Sequence, residues 1–129
     1  MRIFGIDISY WQQGYTYSSA KSEGVNFAII RAGYGRTKDS QFETHYSNAK
    51  NQGWGVGAYW YMYAKTVEAA KQEAYACLSV LKGKQFEYPI YLDVEDASIR
   101  NLGKSTLDSM IRAFAEIIES NGYYFGVYT

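Results

Sequence analysis

Asp93 and Glu95 form the chain's clearest reactive pair. They close the stretch Tyr88 to Asp96, YPIYLDVED, in which the apolar run Ile90-Tyr91-Leu92 follows the only proline and ends in acids. A buried strand emerging at the rim of a sheet reads this way, because its middle must exclude water while its end can meet solvent. Strand side chains alternate faces, so Asp93 and Glu95 look one way and Val94 looks the other. Two carboxylates sharing one opening can divide acid–base work, one held protonated and the other ionised. Acidic residues after a strand are also commonly plain solvated loop, so the pair gains weight from its company. Phe4-Gly5-Ile6-Asp7-Ile8 carries an aspartate near the end of another apolar run, and Arg31 ends the run Phe27-Ala28-Ile29-Ile30.

Other chemistries lack their parts. Cys77 is the only cysteine, which excludes an internal disulfide and a thiolate zinc site; its place among Ala70, Ala74 and Leu78 predicts a buried structural thiol. His45 is the only histidine, expected on an exposed turn of a helix, so zinc hydrolysis and histidine-based triads are disfavoured. A divalent metal on Asp7, Asp93 and Glu95 is open on ligand grounds, but no metal or cofactor is expected. The 129 residues carry a formal net charge of zero with no basic cluster, which argues against nucleic acid and anionic membranes as partners. No apolar run is long enough to span a bilayer, and Met1-Arg2-Ile3-Phe4 enters a strand without a signal-peptide core. The unusual feature is 14 Tyr and 3 Trp. Part of this is core and strand propensity, but amphipathic rings also suit a surface that stacks on sugars.

These residues need strands to present them, and the chain supplies strands at regular intervals. Expected strands are Arg2 to Ile8, Val25 to Arg31, Val56 to Met62, Pro89 to Asp93 and Tyr123 to Tyr128. Helices are expected from Ser18 to Glu23, after a cap at Asp39, after a cap at Thr66, and after a capping box at Ser105-Thr106-Leu107-Asp108. The helix after Thr66 is predicted to bury Val67, Ala70, Ala74, Cys77, Leu78 and Leu81. A repeated βα layout follows. Ala32-Gly33-Tyr34-Gly35-Arg36 lacks the spacing of a phosphate-binding loop. Five such units suit either a complete flavodoxin-like sheet or the first part of an eight-stranded barrel. Because the chain stops at Val127-Tyr128-Thr129 with no closing helix, the partial barrel is the expectation.

Several segments, taken together, resemble the lysozymes of glycoside hydrolase family 25, the N-acetylmuramidases of bacterial autolysins and phage endolysins. They are Gly5-Ile6-Asp7-Ile8-Ser9 with Trp11-Gln12; Phe27 to Gly35; Asp39 with Phe42; Val56-Gly57-Ala58-Tyr59-Trp60-Tyr61; Leu92-Asp93-Val94-Glu95; and Gly126-Val127-Tyr128-Thr129. They run in family order across essentially the whole chain. Two departures stand out. Tyr15-Thr16-Tyr17 replaces a common Ile-Asp-Trp, which alters packing, and Trp60 stands where a histidine is frequent, which alters rim polarity.

The resemblance implies an irregular (β/α) barrel of the TIM type, here about its first five β/α units, with residues 1–129 as the N-terminal portion of a catalytic domain. It implies hydrolysis of the β-1,4 bond between N-acetylmuramic acid and N-acetylglucosamine in peptidoglycan. Glu95 would be the general acid, Asp93 would assist the substrate's 2-acetamido group, and Asp7 would hold substrate or tune the pair by repulsion. Tyr59, Tyr61 and Tyr128 would offer rings and hydroxyls to sugar, with Tyr34 and Trp11 as loop aromatics. Arg31 either touches substrate or pairs with a buried carboxylate, and Asp96 is read as loop structure. The family's last-strand aspartate is absent, so weak catalysis is expected of these residues alone, with self-association or completion by a C-terminal fragment through open sheet edges. Synthesis in the cytoplasm, followed by lysis-linked or non-classical release to the cell wall, is the expected route. Two alternatives remain: a carbohydrate-binding module without chemistry, for which the Asp93–Glu95 pair would be unnecessary, and a flavodoxin-like domain.

Overall fold

A computed structural model describes residues 4–12 and 14–128. Its sheet is built from β1 (Phe4–Ile8), β2 (Val25–Tyr34), β3 (Thr37–Lys38), β4 (Gly55–Tyr61), β5 (Ile90–Asp93) and β6 (Phe125–Tyr128). Arg2 and Ile3 of the expected first strand lie outside the described residues. β1, β2, β4, β5 and β6 are all parallel and lie side by side in chain order, while β3 folds back antiparallel on the end of β2. At two residues, β3 is too short for alternation to reveal it. A flavodoxin-like sheet reverses its strand order at a switch point. No reversal occurs here, so that alternative is overturned, and the sheet is that of a partial (β/α) barrel.

Helices α1 (Tyr17–Ser22), α2 (Phe42–Asn51), α3 (Val67–Leu81) and α4 (Lys104–Ser120) supply the connections. Alternate strand residues Ala28, Ile30, Ala32, Val56, Ala58, Trp60, Ile90 and Leu92, with Met62 just after β4, form one core with Phe42, Ala49, Ala70, Ala74, Cys77, Met110, Phe114 and Ile118 of the helices. The helices therefore cover one face of the sheet, which is how a singly wound barrel wall buries its outside. The opposite face carries Asp7, Phe27, Ile29, Arg31, Tyr59, Tyr61, Tyr91, Asp93 and Tyr128, since side chains alternate. Rings can lie flat there because glycines sit beneath them. A Cβ on Gly126 would stand 2.6 Å from the Tyr91 ring, and one on Gly5 would collide with the Phe27 ring.

Thr66 caps α3 as expected, its hydroxyl accepting from the Ala69 amide at 3.1 Å. Four other expectations need correction. α4 starts at Lys104 behind Gly103 (φ 90°), so Ser105 lies inside the helix and Asp108 pairs with Lys104 at 3.0 Å instead of closing a capping box. Val67 is exposed because it opens the first turn of α3, while the covered stripe of the helix begins at Ala70. Trp60 is buried in the helix-side core with its indole N–H on the Gly35 carbonyl at 2.8 Å, so it does not set rim polarity. His45 is buried as well. Its Nδ1 meets the Tyr17 hydroxyl and its Nε2 the Ser9 carbonyl, at 2.5 and 2.9 Å, and these partners make burial of an imidazole tolerable. Burial lowers its pKa and favours the neutral ring.

Candidate active site

Strand register brings the polar residues of the open face into rows at the C-terminal ends of the strands. Arg31 is paired with Tyr59, and Tyr59 with Tyr91; one step further, Tyr61 is paired with Asp93, and Asp93 with Tyr128. Asp7 enters from β1 beside Ile29. Asp7, Tyr59, Asp93, Glu95 and Tyr128 line one cavity of about 310 Å³. The alternation that places Asp93 and Glu95 on one side thus survives the end of β5.

The backbone around the pair is held from both flanks. The Asp93 carbonyl accepts from the Met62 amide at 3.0 Å, the Val94 amide donates to the Tyr128 carbonyl at 2.9 Å, and the Arg100 guanidinium donates to the Glu95 carbonyl at 3.0 Å. The two side chains differ in environment. Asp93 is 8% exposed and its Oδ1 is buried with no hydrogen-bond partner among the described residues, whereas Glu95 is exposed. Burial, then the Glu95 charge, a hydrogen bond with Glu95, and Asp7 push the Asp93 carboxyl up to about 7. Burial therefore favours the protonated form of Asp93, the deeper carboxylate. Asp7, exposed at the cavity edge, is itself raised by partial desolvation.

Tyr59 spans the cavity floor. Burial raises its phenol to about 12 against the opposing pull of Arg31, and it shares a hydrogen bond with Ser9, so it stays a neutral hydroxyl. The Tyr91 and Tyr128 rings stack at 4.9 Å. Three sequence candidates fall elsewhere. The Tyr61 hydroxyl donates to Asp96 at 3.1 Å, and Asp96 also receives the Ser98 amide at 3.0 Å, so both order the loop after β5. Arg31 pairs with buried Asp39 at 2.8 Å and stacks over Tyr34 at 4.7 Å. Asp39 also accepts from the Gln41 amide at 2.8 Å, which places it ahead of the cap position of α2. Arg31 and Tyr34 line a neighbouring cavity of about 490 Å³ together with Trp11, Thr37, Lys38, Ser40 and Tyr63.

Sequence reasoning missed Glu73. This α3 residue is 3% exposed and accepts from the Tyr63 amide at 3.3 Å, with the Ala64 amide also favouring its charged form. It ties down the segment that follows β4. The signal was an acid three residues after Ala70 and four before Cys77, on the buried stripe. Among the described residues no three His, Cys, Asp or Glu side chains are spaced to hold a metal ion.

Comparison with known proteins identifies relatives of the chain as a whole. The autolytic lysozyme of Clostridium acetobutylicum is 31% identical over 128 residues, which is 97% of this chain and 37% of that protein. Lysozyme M1 of Streptomyces globisporus is 48% identical over 56 residues, 43% of this chain and 19% of that protein. The matched stretches thus cover only 19% and 37% of these relatives' lengths. Among solved structures, the catalytic domain of endolysin ply40 from bacteriophage P40 of Listeria monocytogenes superposes with a TM-score of 0.83 at 26% identity, over 99% of this chain and 63% of its own. The modular autolysin LytC of Streptococcus pneumoniae gives 0.85 at 25% identity, over 96% and 31%. The sequence profile of glycosyl hydrolases family 25 matches residues 6–129, and the chain belongs to that family.

Proposed function

We propose that this chain carries the acid–base pair of a peptidoglycan glycosidase that cleaves the β-1,4 bond after N-acetylmuramic acid. The observation that carries the reading is the Asp93–Glu95 pair: two carboxylates in one cavity, one buried and one exposed, with the exposed one raising the pKa of the buried one. A carbohydrate-binding module has no use for a buried carboxylate raised toward neutrality, because the burial costs free energy and adds no contact with sugar.

In this reading a single proton serves both groups. It rests on Asp93 in the free protein and passes to Glu95, its neighbour in the cavity, when substrate covers the exposed carboxylate. Glu95 then gives it to the glycosidic oxygen as the bond to the anomeric carbon breaks. Asp93, now ionised, accepts the 2-acetamido N–H and steers the amide oxygen onto the anomeric carbon. Water opens the cyclic intermediate and returns a proton to Glu95. Asp7 supplies negative potential beside the developing positive charge, and the neutral Tyr59 hydroxyl offers a donor to the sugar. Because the amide is the nucleophile, carboxylate separation does not predict the stereochemical outcome. The substrate partner is cell-wall peptidoglycan, reached after release from the cytoplasm, and the open sheet edges are completed by a second copy or by a C-terminal fragment.

The test is product analysis on purified peptidoglycan with the chain and its Glu95→Gln variant. New reducing ends should be N-acetylmuramic acid, and the variant should lose a factor of about 10² to 10⁴ while still binding. Release of peptides alone, or unchanged turnover in the variant, would defeat the assignment.

A further inference from the structure

The 490 Å³ cavity beside the carboxylate pair has no part in the chemistry above. Its volume falls within the range of about 300–1,000 Å³ typical of ligand sites. The walls combine flat apolar surface with hydroxyls and a cation. Trp11 is 76% exposed and Tyr63 is 44% exposed, and both line the space with Thr37, Ser40 and Lys38. Arg31, by contrast, is committed to Asp39 and to the Tyr34 ring. β3 exists to present this wall, since the pairs Gly33 with Lys38 and Tyr34 with Thr37 lay it against the end of β2.

Lys38 is the charge that can be reassigned. Its ammonium meets Glu43 at 2.8 Å, but the same Glu43 oxygen is also held by Lys84 at 2.9 Å. Lys84 is the inner partner, largely covered, bonded to the Val80 carbonyl at 3.1 Å and lying over the Phe42 ring. Were Lys38 to swing away, Glu43 would keep a cation. An exposed ion pair is also weak, so exchanging it for a ligand anion costs little.

We propose that this cavity is a subsite for a carboxylate-bearing sugar unit, with a ring of the glycan packed on Trp11 and Tyr63 and Lys38 paired with the acid group. The proposal rests on the glycosidase reading and deepens it, by making Lys38 the residue that separates an acidic glycan from a neutral one. Neutral chitooligosaccharide shares the ring contacts and lacks the anion.

Trp54 and Trp60 are buried, so a ligand in the cavity reports through the emission of Trp11. The experiment is a fluorescence titration of the full chain with three tetrasaccharide probes. They are chitotetraose, the peptide-free N-acetylglucosaminyl-N-acetylmuramyl repeat with its free lactyl carboxylates, and the same repeat carrying alanyl-isoglutamine stems. The expected result is a response to all three, with at least one acidic probe favoured over chitotetraose about fivefold at low salt. Which acidic probe is favoured identifies the lactyl or the stem as the source of the carboxylate. Lys38→Met should erase the preference while leaving chitotetraose affinity unchanged, and Trp11→Phe should remove the signal. Equal affinity for neutral and acidic probes, a preference that survives Lys38→Met, a signal that survives Trp11→Phe, or no response at all overturns the proposal. A chain that shows the Lys38-dependent preference yet releases no reducing ends defeats the glycosidase reading and leaves the subsite standing. Cleavage without that preference does the reverse.

Discussion

Asp93 and Glu95 are chemically similar groups made unequal by access to water. Asp93 is fixed on a strand between β4 and β6, and its backbone cannot move toward solvent without breaking ladder hydrogen bonds on both sides. Glu95, beyond the strand end, is free to meet a ligand. The raised Asp93 value comes first from burial, next from Glu95 and last from Asp7, and that ranking can be checked one residue at a time. A carboxyl-carbon NMR titration should find Asp93 changing charge near pH 7. Glu95→Gln should move that midpoint down, because an ionised Asp93 no longer faces a like charge and gains an amide donor. Asp7→Asn should move it down by less. A midpoint in the ordinary aspartate range, or a larger shift from Asp7→Asn than from Glu95→Gln, would undo the account of the pair. In the proposed mechanism the acid form is the active one, so cleavage should decline as pH rises through about 7.

At the scale of elements, α3 does more than cover the sheet. Glu73 reaches from its buried face to the segment after β4, which carries Tyr63 to the rim of the second cavity. Burial is the leading reason its carboxyl rises from 4.5 to about 7, and the bonds from the Tyr63 and Ala64 amides oppose the rise. The folded chain thus holds this proton more tightly than the unfolded one. Its stabilising effect is complete below about pH 4.5 and is lost as pH climbs through about 7. Asp93 adds a contribution of the same sign. Thermal melts should therefore give a higher Tm at pH 5 than at pH 8, and Glu73→Gln should flatten part of that slope, since the amide oxygen can still accept from the backbone. A slope unchanged in the variant would place the titration elsewhere. The strands and α3 were legible in the sequence because apolar alternation and helical stripes report burial directly, and Asp93 with Glu95 followed from alternation alone. Glu73 and His45 were not, because a polar residue on a helix reads as surface until distant partners satisfy it. For His45 those partners lie 28 and 36 residues away. The second cavity was equally hidden, since its walls come from the turn after β1, the β2–β3 hairpin with Ser40, and the segment after β4.

Over the whole molecule, the sheet is covered on one face and open on the other. Among the described residues β1 is paired only with β2, and β6 only with β5, so each presents a free edge. Unpaired strand edges recruit other strands unless charge, proline or a bulge blunts them. β6 reads Phe125-Gly126-Val127-Tyr128, with no charge and no proline, and the single charge of β1, Asp7, points into the cavity. The edge is apolar as well as unpaired: Tyr124 is exposed, as are Val127 and Tyr128. Covering such surface is favourable by about 25 cal/mol per Å², which adds to the backbone hydrogen bonds a partner strand would supply. The 14.7 kDa chain should accordingly run as dimers or larger species in size-exclusion chromatography with light scattering. Val127→Lys should shift it toward monomer, because a lysine on an edge strand opposes pairing without touching the cavity residues. Adding a separate chain that supplies further parallel strands should likewise dissolve the self-associated species, since both would compete for the same edges. A sharp monomer at all concentrations, with the fold intact by circular dichroism, would show that these edges are inert and would remove the argument that the site needs a second chain to complete it.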